Sequence, residues 1–151
     1  MAEERVLRVL HADDDDSFQL LTRRAIKAQG LDARCSVHFV RDGSDAVDYV
    51  LGRNAYEDRQ QYPLPHLILL DQRMLSMDGV DAMARIKRDP QGRMIPTILF
   101  STAANESLVA SCYEHGGAFC IEKPMDFSRL GPVLGLIIQF ATEVLRLPEQ
   151  H

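Results

Sequence analysis

Five short apolar runs alternate along the chain with five segments whose apolar positions recur every three or four residues. The first run, Val6 to Ala12, stops at four consecutive aspartates, Asp13 to Asp16. A helix should follow, capped by Ser17 or Asp16, with Phe18, Leu21, Ala25 and Ala28 on one face and Gly30 at its end. Residues 34 to 40 predict a second strand, and a second helix begins near Ser44 with Ala46, Val47, Val50 and Leu51. Residues 52 to 65 are polar and hold Gly52, Pro63 and Pro65, which reads as a surface loop or an extended helix end. Leu67-Ile68-Leu69-Leu70 is the most continuous run and predicts a central strand covered on both faces; it ends on Asp71.

Gly79 precedes a helix carrying Val80, Met83, Ala84 and Ile86, closed by Asp89-Pro90-Gln91-Gly92. A fourth strand, Ile95 to Phe100, leads to Ser101-Thr102. A helix from about Glu106 runs to Gly116-Gly117. The fifth strand, Ala118 to Ile121, enters Glu122-Lys123-Pro124. The last helix, predicted from Phe127 to Leu147, repeats Leu130, Val133, Leu134, Ile137, Ile138, Ala141, Val144 and Leu145. Strand–helix alternation of this kind implies an α/β fold, a parallel sheet wrapped on both faces by helices.

Length and composition narrow the class. With 151 residues the chain suffices for one domain and is too short for two ordinary ones. Its formal charge of −5, from 17 Lys+Arg against 22 Asp+Glu, argues against nucleic acid or an anionic membrane as the main partner. No apolar run approaches the ~20 residues that span a bilayer, and the first residues lack the pattern of a signal peptide. Cys35, Cys112 and Cys120 show no C-x-x-C spacing, so neither a disulfide framework nor a zinc site is expected, and a reducing cytoplasm is the natural setting.

The chemistry sits at the strand ends. Asp13 and Asp14 follow the first strand, Asp71 ends the third, Ser101 follows the fourth and Lys123 follows the fifth. In a parallel sheet these positions share one edge, the edge at which such folds bind ligands. Carboxylates crowded together need a compensating cation. A hard, oxygen-preferring ion suits them, Mg²⁺ or alternatively Mn²⁺, and Lys123 balances charge on the other side. A carboxylate between a metal and an ammonium can accept a phosphoryl group, because both cations offset charge on the transferring oxygens.

Five motifs, in order, resemble those of the receiver domains of two-component signalling: Ala12-Asp13-Asp14-Asp15, Leu69 to Met74, Met77-Asp78-Gly79, Ile95-Pro96 with Ser101, and Glu122-Lys123-Pro124. The resemblance covers about residues 5 to 145 of a single domain, 1–151. It implies a doubly wound, flavodoxin-like (βα)5 fold with five parallel strands in the order 2-1-3-4-5. It also implies Asp71 as phospho-acceptor, Asp14 as metal ligand, Asp13 as holder of metal-bound water, and the backbone carbonyl of Arg73 as a further ligand. Ser101 would be the switch hydroxyl, Lys123 the phosphoryl contact, and Lys123–Pro124 a cis bond. The insertion before the third strand and the long last helix are similar to those of single-domain regulators paired with bacterial phytochromes and hybrid kinases. The resemblance therefore implies a stand-alone response regulator. Its partners would be a sensor histidine kinase such as a bacteriophytochrome, a phosphotransfer protein, and a second copy through the fourth helix, fifth strand and last helix.

Some positions depart from the family pattern. Leu75 stands where proline is usual, which predicts a more mobile loop. Cys120 replaces the usual Tyr or Phe, putting the standard aromatic coupling in doubt. Thr102 is bulkier than usual, and Met125 replaces a common Phe. Arg73 is a candidate to face the incoming phosphoryl group. Asp15 and Asp16 read as cap and surface charges, His11 as a packed core residue, and the cysteines as small buried hydrophobes. Two other classes fit less well. A phosphate-independent interaction module would not need the full set of polar residues. An aspartyl-phosphate phosphatase would carry an acid where Arg73 stands, together with a cap domain.

Overall fold

The computed structural model describes residues 6–150. Five strands, β1 (Leu7–Ala12), β2 (Cys35–Val40), β3 (Leu67–Asp71), β4 (Thr97–Ser101) and β5 (Phe119–Glu122), form one parallel sheet in the order β2-β1-β3-β4-β5. Between and after them run α1 (Asp16–Ala28), α2 (Gly43–Leu51), α3 (Gly79–Arg88), α4 (Glu106–Glu114) and α5 (Leu130–Glu143). The order 2-1-3-4-5 is the one the resemblance implies. Every residue of β3 is buried, as its unbroken apolar run predicts.

Period-two alternation divides the strands between two cores. Leu7, Val9, Leu67, Leu69, Ile98 and Phe100 point towards α1 and α5, where they meet Phe18, Ile26, Leu130, Leu134 and Ile138. Leu10, Ala12, Ile68, Leu70 and Leu99 point the other way, against Ala46, Val47 and Val50 of α2 and Met83 and Ile86 of α3. α4 is held less deeply: Cys112 is its one buried residue.

Each of the first four helices opens on an Asp or Asn whose side chain accepts an N–H of the first turn: Asp15, Asp42, Asp78 and Asn105. The cap of α1 is thus Asp15, in keeping with its reading as a cap charge, and neither Ser17 nor Asp16. Ser17 instead donates its N–H to Asp15 at 2.9 Å, so the helix starts one residue earlier than the apolar spacing suggests.

Residues 52 to 66 form a folded insertion. A single 3₁₀ turn at Asn54–Tyr56 is its only helical piece. Arg59 donates to the carbonyls of Tyr49 at 2.7 Å and Val50 at 2.5 Å, satisfying the C-terminal end of α2. Tyr49, Tyr56 and Tyr62 gather around His38 with ring centroids 4.9–6.0 Å from the imidazole.

The last helix is shorter than predicted. A 3₁₀ turn occupies Phe127–Arg129, and α5 ends at Glu143, not at Leu147. Pro148 disfavours a helical Leu147. Turning back lets Leu145 and Leu147 pack on the α1/α5 core. Gln150 then reaches under the sheet, accepting from Arg8 and donating to the Pro65 carbonyl, each at 2.6 Å. No helix among the described residues is long and apolar enough to cross a membrane.

Candidate functional site

At the carboxyl edge of the sheet, β1 delivers Asp13 and Asp14, β3 delivers Asp71, β4 delivers Ser101, and the chain leaving β5 delivers Lys123. Asp13 is fully buried, Asp71 and Ser101 are nearly so, and Asp14 is exposed. One carboxylate oxygen from each of Asp13, Asp14 and Asp71 falls within 4.8 Å of the others. That spacing suits a single oxygen-coordinated cation. Lys123 Nζ lies 2.7 Å from Asp71 Oδ1 and 3.3 Å from Asp13 Oδ2. All six sequence-predicted site residues therefore gather at one end of the sheet. Asp14, Asp71, Arg73, Ser101 and Lys123 line a cleft of about 440 Å³, and Asp13 stands behind it.

The electrostatics follow from burial. Desolvation, then the charge of Asp71, push the Asp13 carboxyl up to about 6, partly offset by Lys123. Burial also raises Asp71, with Lys123 opposing it. The backbone N–H of Asp15 donates to Asp13 Oδ1 at 2.8 Å and fixes that carboxylate. A cation brought to the open side would relieve the remaining repulsion.

The surroundings make the arrangement rigid. The Lys123 N–H donates to the Ser101 carbonyl at 2.7 Å, which aligns the ends of β4 and β5. Ser101 Oγ accepts from Ala103 N–H at 3.2 Å, and its oxygen stays at the cleft wall. Gly79 must be glycine: a Cβ there would lie 2.6 Å from the Asp71 carbonyl oxygen and 2.5 Å from Leu99. The expected cis bond is absent. Lys123–Pro124 is trans, the isomer that X–Pro bonds favour by about 0.5–1 kcal/mol, and the lysine reaches both carboxylates from it.

Three contributors had no clear sequence signal. The ring of Phe18 lies 4.2 Å from Lys123 Nζ, so a residue assigned only to the core of α1 also supports the ammonium. Arg41 donates to the Asp14 carbonyl at 2.8 Å and pairs with Asp16. Asp42 joins the connection after β2 to the one after β3. His11 is a core residue, as expected. Its imidazole packs edge-on to Phe18 at 4.7 Å, and burial holds its pKa down at about 3.

A doubly wound parallel sheet that brings acidic, hydroxyl and ammonium groups to its carboxyl edge defines a class of signalling domain that switches on phosphorylation of an aspartate. The chain belongs to this class as a member of the response regulator receiver domain family, whose profile matches residues 9–134. It is 28% identical over 140 residues to response regulator Rcp1 of Synechocystis sp., covering 93% of this chain and 92% of that one. The Mn²⁺-bound crystal structure of Rcp1 superposes with a TM-score of 0.85 at 27% identity, over 95% of this chain and 99% of that chain. The phosphorylated cyanobacterial phytochrome response regulator RcpA gives 0.87 at 27% identity, over the same shares. The chain is thus similar to phytochrome-associated single-domain regulators. Receiver domains are phospho-acceptor switches rather than classical enzymes.

Proposed function

We propose that this protein works as a stand-alone response regulator that accepts a phosphoryl group on Asp71 from a sensor histidine kinase. The observation that carries the reading is the contact of Lys123 Nζ with Asp71 Oδ1 at 2.7 Å, beside carboxylate oxygens grouped within 4.8 Å. An Asp71 oxygen bonds to phosphorus as the bond to the donor's nitrogen breaks. The Lys123 ammonium offsets negative charge on the phosphoryl oxygens, and the Ser101 hydroxyl donates a hydrogen bond to one of them. Asp13, Asp14, Asp71 and the Arg73 carbonyl would hold Mg²⁺ or Mn²⁺, which supplies further charge neutralisation there. Likeness to the Mn²⁺-bound form of Rcp1 supports a divalent ion of this kind.

Output passes through protein contact or onward transfer to a phosphotransfer protein, in the cytoplasm. Likeness to phytochrome response regulators favours a bacteriophytochrome or related hybrid kinase as donor. Exposed apolar residues on α4, β5 and α5, namely Tyr113, Phe119, Leu136 and Phe140, favour a homodimer or partner contact on that face.

Intact mass after incubation with Mg²⁺ and acetyl phosphate tests the acceptor. A labile gain of one phosphoryl group is expected in the native protein and not in Asp71→Asn. No gain from acetyl phosphate or from a phosphorylated kinase would leave a phosphate-independent binding module as the better reading.

A further inference from the structure

The wall of the cleft opposite Ser101 and Thr102 is the stretch Arg73–Leu75, in which only the half-buried Met74 packs on the core shared with α2 and α3. Arg73 and Leu75 are exposed, and Leu75, at 94%, makes almost no packing contact. The proline that would stiffen this loop is missing. Its ends are tied down: Gln72 N–H donates to the Phe100 carbonyl at 2.8 Å, and Gln72 Oε1 accepts from Val80 N–H at 3.0 Å. Between those ties Met74 and Met77 give apolar contacts, and the polar anchor is Asp42, which comes from the opposite side of the loop, in the connection between β2 and α2.

Asp42 serves two tasks with its two oxygens, and Oδ2 takes part in both. Oδ2 accepts the Ser44 N–H at 3.0 Å and so caps α2. Oδ1 is given to the other loop, accepting the Ser76 N–H at 2.9 Å and the Met77 N–H at 3.4 Å. The Ser76 hydroxyl adds a bond to Oδ2 at 2.6 Å. The two backbones also touch. Gly43 N–H donates to the Met77 carbonyl at 3.2 Å, and a Cβ on Gly43 would lie 2.4 Å from that oxygen, so no side chain fits between the loops. A helix cap needs only one carboxylate oxygen. The second set of bonds therefore serves the loop beside the acceptor.

We propose that Asp42 is a positioning residue of the phosphoryl site, fixing the Arg73–Leu75 wall, and with it the Arg73 carbonyl, through Ser76. Charge-assisted bonds to a carboxylate are about twice as strong as neutral ones. They do here what a proline ring would do by restricting φ. The inference rests on the reading of Asp71 as acceptor and Arg73 as a metal ligand. It adds that the polar restraint on this loop comes from outside it, from a residue that touches neither metal nor phosphoryl group.

Substitutions separate the clamp from the cap. Ser76→Ala removes the hydroxyl on the loop side and leaves the α2 cap intact, whereas Ser44→Ala removes a hydroxyl of the same size on the helix side. Mn²⁺ affinity by isothermal titration and thermal melting are measured on each. Ser76→Ala and Asp42→Asn should bind Mn²⁺ about tenfold more weakly, the lower end of the roughly 10–100-fold effect of losing residues that orient metal ligands. Ser44→Ala should melt earlier yet bind as the native protein does, and Ser76→Thr, which keeps the donor, should restore affinity. Native affinity in a folded Ser76→Ala and a folded Asp42→Asn would overturn the clamp while leaving the acceptor reading intact. Failure of the native protein itself to bind Mn²⁺ or gain a phosphoryl group would overturn the acceptor reading, and the clamp with it.

Discussion

Lys123 and Asp13 meet at 3.3 Å across the edge of the sheet, although 110 positions separate them in the chain. The lysine is the cation that lets Asp13 and Asp71 share this edge, because it contacts both. Asp13 is fully buried and Asp71 nearly so, so the bridge is poorly screened by solvent. Replacing Lys123 with Met leaves two carboxylates facing each other. The metal-free protein should lose about 1–3 kcal/mol in urea denaturation, and phosphorylation by acetyl phosphate should fall to background. A variant as stable as the native protein would show that the ammonium is not the counter-charge.

Asp13→Asn should act in the opposite direction. Burial and the neighbouring Asp71 charge disfavour an ionised Asp13. An amide of the same shape still accepts the Asp15 N–H through its oxygen and removes one negative charge from the cluster. The metal-free Asp13→Asn protein should gain about 1 kcal/mol at neutral pH. It should also lose most of the rise in melting temperature that Mn²⁺ gives the native protein. Equal stabilisation of both proteins by Mn²⁺ would remove Asp13 from the ligand set.

The legibility of this site in the sequence has a physical basis. A parallel sheet places all strand ends of one polarity on one edge, so Asp13, Asp14, Asp71, Ser101 and Lys123 could be assigned to one place from strand endings alone. β3 was readable because burial on both faces leaves an unbroken apolar run, Leu67 to Leu70. Contacts that depend on side chains crossing between elements were not legible. Asp42 looks like an ordinary helix cap, and its second oxygen has no sequence signature. Phe18 fits the apolar spacing of α1, and nothing in that spacing reveals the ammonium beside its ring. The end of α5 was misplaced because Val144 and Leu145 continue the helical period, while the energetic decision lay in Leu145 and Leu147 packing on the core.

The returning tail gives a direct test. Leu145 and Leu147 are half-buried against the α1/α5 core, so truncating each to Ala should cost about 1–2 kcal/mol, below the range for fully buried leucines. Leu136→Ala, on the exposed side of α5, should cost about 0.5 kcal/mol or less. Urea denaturation of the single variants distinguishes the two arrangements. Similar small losses at Leu145 and Leu136 would mean that the chain continues as an exposed helix past Glu143.

Lys87 offers a pH-dependent test of packing between α3 and the rest of the sheet's second face. Its Nζ donates to the Ile95 carbonyl, and its stem lies where a Cβ on Gly116 would approach Cγ to 3.2 Å. Burial lowers its pKa from 10.5 to about 8. Below about 8 the amine is charged in both folded and unfolded chains, and the folded state bears the full cost of burying it. As pH rises from about 8 towards 10.5 the folded protein releases the proton first, so the unfolded state binds more protons and stability rises. Lys87→Met has no such proton. The stability of the native protein relative to Lys87→Met should therefore increase by about 1 kcal/mol between pH 7 and pH 9.5, after allowance for solvent screening of a half-buried group. Urea denaturation of both proteins at the two pH values reads the difference. A gap that stays constant would mean that the ammonium is solvated in the folded state and that the contact with Ile95 does not desolvate it.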